Sequence, residues 1–171
     1  MSGQRKPALT GGCQCGAVRY AIYYAIYAEP QRAGVCHCRM CQKAVGGPFM
    51  AWATVRMEDF AWTRGAPGRF LSSSAAERGF CPRCGTPLCF AYVKRPGPIS
   101  VTVGSLDAPA SVRLMQVDGI ESRLANFDPA ALAATPVRAT GQASQPEDLS
   151  RITIYQHPDH DTPADWRPAA S

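Results

Sequence analysis

The sequence lacks any hydrophobic run long enough to cross a membrane. Its longest apolar stretch, residues 20–28, falls well short of the roughly 20 residues that a spanning helix needs. The first ten residues include Arg5 and Lys6 but have no apolar segment behind them, so the pattern of an export signal is missing. From these absences we expect a cytoplasmic protein that makes no contact with a membrane.

Concentrated positive charge and the common nucleotide-binding motifs are also missing. Lys and Arg number 18 against 13 Asp and Glu, a net charge of +5, but they are scattered along the chain. A surface that tracks phosphates needs basic residues in a cluster. No GxGxxG, Walker or GxSxG pattern occurs either, which removes the sequence support for nucleotide binding or serine catalysis. We therefore expect no nucleic-acid partner.

The length and the hydrophobic content of the chain are those of one compact domain, and its sequence patterns are mainly β. The chain has 171 residues, of which 46% are hydrophobic, as in globular proteins. Its 15 Pro and 15 Gly indicate many turns and argue against long helices. Patterns typical of strands occur at residues 18–27, 48–56, 69–74, 87–93 and 99–103. Short helices are predicted at residues 40–45 and 128–134.

The eight cysteines carry most of the chemical information, because seven of them lie in short clusters. A reducing cytoplasm keeps thiols free, so metal binding is favoured over the alternative of disulfides or unrelated buried thiols. A CxC pair and a CxxC pair, each followed by glycine, together offer four thiolates for a tetrahedral zinc ion. We call this set the four-cysteine cluster: Cys13, Cys15, Cys81 and Cys84.

A second group offers three thiolates within six residues, one fewer than a closed tetrahedral site needs. We call this set the three-cysteine cluster: Cys36, Cys38 and Cys41. Structural zinc sites are usually filled by protein ligands, whereas catalytic ones keep a position for water or substrate. A zinc held by three cysteines suits an incoming thiol, whose pKa falls on coordination.

Two residues are candidates to close the three-cysteine cluster. The His37 side chain lies between two ligands and is expected to point away from the metal, towards solvent or behind the cysteines. Cys89 stands in an apolar, strand-like run, where a lone thiol is usually a small core residue. We therefore expect the cluster to stay open.

Three segments around these cysteines resemble the glutathione-dependent formaldehyde-activating enzyme family, which includes centromere protein V. They are GCQCGAV at residues 12–18, CHCRMC at 36–41 and RGFCPRCGTPL at 78–88. The resemblance covers residues 9–127 and includes VTVGSLD at 101–107, which is similar to the family's closing strand and turn. Residues 115–120 depart from it, because family members often have a His-containing segment with Trp there.

The resemblance implies antiparallel sheets stapled by zinc, in a fold shared with a Rab exchange chaperone and with methionine sulfoxide reductase B. It implies two zinc ions per chain, a structural one in the four-cysteine cluster and a catalytic one in the three-cysteine cluster. Glutathione is expected to bind near the catalytic zinc and to meet formaldehyde there. The resemblance thus indicates a carbon–sulfur lyase similar to S-hydroxymethylglutathione synthase, acting in formaldehyde detoxification.

Two other functions stay open at this point. A zinc-stapled interaction module without turnover is favoured if His37 or Cys89 closes the three-cysteine cluster. Methionine sulfoxide reduction needs a reactive thiol outside the metal sites, and only Cys89 is available for it. Its apolar neighbours argue against that role.

Glutathione carries two carboxylates, so guanidinium or amide donors should line its pocket. The basic residues in reach by sequence position are Arg39, Lys43, Arg64, Arg69 and Arg78. Arg39 and Arg78 are favoured because each lies in, or within three residues of, a cysteine cluster. The oligomeric state is not predicted.

The sequence divides into an N-terminal tail at residues 1–8, the zinc-binding domain at 9–127 and a C-terminal extension at 128–171. The extension is rich in Thr, Gln, Ser, Pro and Asp after Ala134. Its His157-Pro158-Asp159-His160-Asp161 run has the residue types of a metal site, but Pro158 breaks helical spacing and no apolar frame surrounds it. This run is expected to be a solvated tail.

Overall fold

The computed structural model of the chain describes residues 6–23, 32–94, 97–128, 130, 133, 134 and 155–166. Within these residues the protein is mainly β, as predicted, with one seven-residue α-helix and four single-turn 3-10 helices. The strands are β1 Leu9–Gly12, β2 Arg19–Ile22, β3 Ala33–Cys36, β4 Met50–Val55, β5 Phe60–Arg64, β6 Gly68–Ser73, β7 Ala76–Phe80, β8 Pro87–Tyr92, β9 Ile99–Thr102 and β10 Gln116–Asp118. The helix α1 is Arg39–Val45, and the 3-10 helices are Met57–Asp59, Val103–Ser105, Pro109–Ser111 and Ile120–Ser122.

The strands form two sheets that carry the two cysteine clusters. Strands β1, β2 and β5 make a small antiparallel sheet. The large sheet has the order β10-β3-β4-β9-β8-β7-β6 and is antiparallel except where β10 runs parallel to β3. A bridge between Gly11 and Leu106 connects the first strand to the turn after β9.

Residues from both sheets form the core. The ring of Tyr20, which is fully buried, packs at 5.4 Å from that of Phe60 and at 5.9 Å from that of Trp62. Its hydroxyl forms a 2.8 Å hydrogen bond with Ser105, which satisfies the one polar atom of a side chain so placed. Leu88 and Val101 extend the core across the large sheet.

Helix α1 confirms the prediction made for residues 40–45. It ends at Gly46, which adopts the left-handed conformation with φ of 65° and donates its N–H to the carbonyl of Gln42. Glycine takes that conformation without the steric cost that a Cβ brings. In the second predicted helix, Ala130 and Ala133 are helical and Asp128 accepts a 2.9 Å bond from the amide of Ala130. The rest of that helix lies outside the described residues.

No helix in the parts of the chain that the structure describes is long and apolar enough to cross a membrane.

Candidate metal centres

Two tight turns bring the four-cysteine cluster together from distant parts of the sequence. Cys13 and Cys15 follow β1, and Cys81 and Cys84 follow β7; their four sulfur atoms all lie within 4.8 Å of one another. Cys13 and Cys81 are buried, and the other two are half-buried. The cluster therefore joins the edge of the small sheet to the large sheet.

Each turn is closed by a glycine with positive φ. Gly16, at 70°, donates its N–H to the carbonyl of Cys13 at 3.0 Å, and Gly85, at 75°, donates to the carbonyl of Cys81 at 2.9 Å. These turns bring the two sulfur atoms of each pair close to the sulfur atoms of the other pair. The amide of Val18 also donates to Cys13 Sγ at 3.2 Å, the kind of bond that favours a thiolate.

The sulfur spacing in this cluster fits a tetrahedral metal site and excludes disulfides. Cys13 Sγ lies 3.6 Å from Cys15 Sγ, which lies 3.8 Å from Cys81 Sγ. A disulfide requires about 2.05 Å. Four sulfurs at about 2.3 Å from a zinc ion lie about 3.8 Å from one another. All eight cysteines of the chain are free, so the disulfide alternative is wrong, and the four sulfurs fit zinc.

The pKa values of Cys13 and Cys84 are shifted in opposite directions. Burial raises the pKa of Cys13 to about 12. Burial also acts to raise that of Cys84, but hydrogen bonds from the side chain and backbone of Thr86 outweigh it and lower the pKa to about 6. A buried thiol with a raised pKa stays neutral unless a cation is beside it. A metal ion bound by the four sulfurs would supply that cation.

The three-cysteine cluster lies at the junction of β3 and α1. Cys36 is the last residue of β3, Cys38 precedes α1 and Cys41 lies in its first turn, with the three sulfurs within 4.8 Å of one another. Among the described residues, no His, Asp, Glu or further Cys joins them. These soft donors also fit zinc, and they leave one tetrahedral position without a protein ligand.

The end of β10 and the residues that follow it contact the backbone of this cluster. His37 donates its backbone N–H to the carbonyl of Asp118 at 2.8 Å, and Gln42 Nε2 donates to the carbonyls of His37 and Ser122. Gly119 has a φ of 65°, and a Cβ built on it would lie 2.6 Å from the backbone nitrogen of Cys38. A glycine is therefore required beside the cluster.

His37 and Cys89 do not close the three-cysteine cluster. The His37 ring is buried, 6% exposed, and packs edge-on against Phe49 at 5.6 Å. The expectation that this ring points away from the cysteines is confirmed, but exposure to solvent is wrong, since Phe49 covers it. Cys89 is half-buried in β8 against the core, and burial raises its pKa to about 11. This thiol is a core residue, as expected.

Of the basic side chains in reach by sequence, Arg78 is the one that contacts the three-cysteine cluster. Its Nη2 lies 3.4 Å from Cys41 Sγ. Arg39 is exposed and donates to Gln42, while Arg69 pairs with Glu77. Arg64 donates to carbonyls of the Cys13 turn and of the C-terminal extension. The guanidinium groups of these last two are thus engaged elsewhere.

Residues 155–166, which we call the C-terminal strap, dock on the four-cysteine cluster. His157 is 3% exposed, and its backbone N–H donates to the carbonyl of Gln14 at 2.7 Å. Its ring packs at 4.5 Å from that of Trp166, and a Cβ on Gly16 would clash with both rings. The prediction of a solvated tail is therefore wrong for His157, because its partners come from a turn that no local sequence pattern connects to it.

Two arginines fasten the strap. Arg19, with its side chain 3% exposed, contacts Asp107 at 2.5 Å and Asp161 at 3.0 Å. Arg64 donates to the carbonyl of Thr162 at 2.8 Å. Between the strap, the four-cysteine cluster and the turn after β9 lies a cavity of about 440 Å³. The strap thus covers part of one face of the cluster and leaves an opening beside it.

The chain is similar to known proteins over much of its length. Residues 8–117, more than half of the chain, match the family model for glutathione-dependent formaldehyde-activating enzyme. It is 37% identical over 92 residues, 54% of this chain, to an uncharacterized lyase of Schizosaccharomyces pombe. It is 31% identical over 87 residues, 47% of this chain, to a putative glutathione-dependent formaldehyde-activating enzyme of Halomonas elongata.

The matches span 64% and 54% of the lengths of those two relatives. Among solved structures, a protein of Rhodobacter sphaeroides is 22% identical, with a TM-score of 0.44, over 74% of this chain and 97% of that one.

Proposed function

The chain belongs to the glutathione-dependent formaldehyde-activating enzyme family, and from this premise we propose that it is a zinc-dependent carbon–sulfur lyase. Its substrates would be glutathione and formaldehyde, as in an S-hydroxymethylglutathione synthase. The observation that carries the proposal is the three-cysteine cluster, whose sulfurs converge with no fourth protein ligand in the described residues. A site of that composition suits the handling of a thiol.

In this proposal the two clusters have different roles. Cys36, Cys38 and Cys41 would hold the catalytic zinc, and the four-cysteine cluster would hold the structural one. Zinc, when bound, keeps a thiol ionised at neutral pH and can polarise an aldehyde oxygen. Three thiolates already donate electron density to the site, which favours thiolate handling over strong Lewis acidity.

The reaction itself is a balanced addition. The sulfur of glutathione loses its proton and donates an electron pair to the carbonyl carbon of formaldehyde. A C–S bond forms, the C=O π pair moves to oxygen, and that oxygen takes up a proton to give a hydroxymethyl group. No oxidant or reductant is consumed. The protein's part is to hold the sulfur as a thiolate beside the aldehyde and to orient both groups.

The surrounding chain supports this role in two ways. Gln42, which is buried, ties the carbonyl of His37 to that of Ser122 and so fixes the loop between Cys36 and Cys38. The four-cysteine cluster fixes the end of β7, three residues from Arg78. The first arrangement positions the cysteines and the second positions Arg78 beside them, as a preorganised site requires.

The proposal extends to the fold relationship with a Rab exchange chaperone and methionine sulfoxide reductase B, and to a cytoplasmic location.

A binding module without turnover is the second candidate. It is favoured by apolar side chains near the three-cysteine cluster that stay more than half exposed, namely Met40, Met115, Val117 and Ile120. Exposed apolar surface of this kind suits a protein partner. A module would bind such a partner and leave the rate of the thiol reaction unchanged.

Exchange NMR separates the two candidates, because glutathione and formaldehyde also combine without a catalyst. The rate of interconversion of glutathione and S-hydroxymethylglutathione is measured with zinc-loaded protein, with the Cys38→Ser variant and without protein. Acceleration by the unsubstituted protein alone is expected. Three equal rates would contradict the lyase and favour the module.

A further inference from the structure

Arg78 occupies an unusual environment for an arginine at the edge of a site. It lies in β7, opposite Phe90 of β8, and its guanidinium carbon is 5.2 Å from the centre of the Phe90 ring. Nη1 lies 3.6 Å from Met50 Sδ, and Nη2 lies 3.4 Å from Cys41 Sγ. A ring and two sulfurs therefore hold the group in place.

No carboxylate among the described residues pairs with Arg78. Arg19, which is buried, and Arg56 and Arg69, which are exposed, each contact an acidic side chain. The only hydrogen bonds of Arg78 within the described part of the chain go to the sulfurs of Met50 and Cys41. A guanidinium has five N–H donors, so donors remain for a further acceptor.

Arg78 is placed to contact a ligand that binds at the three-cysteine cluster. A thiol that joins Cys36, Cys38 and Cys41 would bind beside Cys41, whose sulfur the guanidinium contacts at 3.4 Å. If that thiol also carries a carboxylate, the free N–H donors can bind it, and Arg is well suited to planar carboxylate geometry. The positive charge also opposes the accumulation of negative charge when a fourth sulfur joins three thiolates.

From this geometry we propose that Arg78 is the specificity-determining residue of the three-cysteine cluster and selects thiols that carry a carboxylate. This inference rests on the proposed function, since it assumes that the cluster binds a thiol. Arg39 does not share the role, because it is exposed and donates to Gln42. An uncharged thiol would still bind the cluster, but without the contribution of the arginine.

The test measures thiol affinity directly and does not depend on turnover. The protein is loaded with Co²⁺, and its sulfur-to-cobalt charge-transfer absorption is followed during titration with glutathione or with glutathione diethyl ester, which lacks both carboxylates. The same titrations are done on Arg78→Gln, on Arg78→Lys and on Arg113→Gln, a control for loss of charge at an exposed position. Metal content is measured for every variant.

Wild-type protein is expected to bind glutathione about 10- to 100-fold more tightly than the diester, the range for a charged hydrogen bond. Arg78→Gln should lose that preference, Arg78→Lys should keep part of it, and Arg113→Gln should match the wild type. Equal affinities of the wild type for the two thiols would overturn the inference, whether or not the variants fold. It would also be overturned if Arg78→Gln kept the preference.

One outcome bears on the proposed function as well. If neither thiol changed the spectrum of the wild-type protein, the three-cysteine cluster would not be a thiol site. That result would contradict the proposed function and the inference together, whereas binding without a preference would contradict the inference alone.

Discussion

The backbone N–H of His157 donates a 2.7 Å hydrogen bond to the carbonyl oxygen of Gln14, the residue between Cys13 and Cys15. The family match ends at residue 117, so this contact comes from a part of the chain that the family pattern does not include. The strap therefore adds an outer layer to the four-cysteine cluster.

Loss of the His157 side chain should weaken the packing of the strap against the four-cysteine cluster. His157→Ala removes a buried ring that contacts Trp166 and bonds to Thr162, at an expected cost of about 1–3 kcal/mol in the free energy of unfolding. After loading with zinc, the variant should also release the ion proposed for the four-cysteine cluster several-fold faster to a chromophoric chelator. His160→Ala, at an exposed position, serves as the control. Unchanged stability and release would mean that the strap does not protect the cluster.

The same histidine should make stability depend on pH. Burial, followed by the charge of Arg19, lowers the pKa of His157 below its ordinary value of 6.5. The unfolded state therefore binds a proton more readily as the pH falls through 6.5, and the folded state loses stability there. Urea unfolding at pH 7.5 and 5.5 should show a smaller loss for His157→Gln than for the wild type. An equal loss in both proteins would contradict this account.

Gly119 should be essential for the three-cysteine cluster alone. A Cβ at this position would meet the backbone of Cys38 at 2.6 Å, and its φ of 65° disfavours other residues. Gly119→Ala is expected to lower the zinc content from two towards one ion per chain, measured by elemental analysis. Gly104→Ala is the control, since a Cβ at that position would have no neighbour within 4 Å. Two retained zinc ions in Gly119→Ala would show that the loop adapts.

Substitution of Cys89 and substitution of Cys38 should affect the rate of S-hydroxymethylglutathione exchange differently. Cys89→Ala changes a core thiol away from both clusters and should leave the rate of S-hydroxymethylglutathione exchange within about twofold of the wild type. Cys38→Ser removes a cluster ligand and should reduce that rate to the uncatalysed value. Loss of activity only in the Cys89 variant would favour chemistry at the free thiol, as in methionine sulfoxide reduction.

The cysteine spacing predicted which sulfurs come together, because CxC and CxxC turns pair their cysteines locally and a closed tetrahedral zinc site needs four ligands. The pattern of β-branched and aromatic residues likewise predicted β2, β4, β6, β8 and β9. Residues 24–27 of the first predicted strand lie outside the described residues. Strands β3 and β7 are among those that were missed. Their sequences, AGVC and AERGF, have little alternation of their own, and each is held between two partner strands in the large sheet.

The environment of the sites depended on contacts that sequence spacing does not encode. Arg78 reaches Cys41 because β7 lies across the large sheet, and His157 reaches Gln14 across most of the chain. Such pairs follow from the order of strands and from the path of the extension. The sequence did favour Arg78 through its distance from Cys81, but it favoured Arg39 equally, and only the fold separates the two.

Cadmium-113 NMR of the protein with both metal sites loaded tests the central claim most directly. The account predicts two resonances, one from a closed four-sulfur site and one from an open three-sulfur site. Glutathione should move only the second, towards the position of the first, as a fourth sulfur joins Cys36, Cys38 and Cys41. Two resonances that glutathione leaves unmoved would contradict an open, thiol-binding cysteine centre.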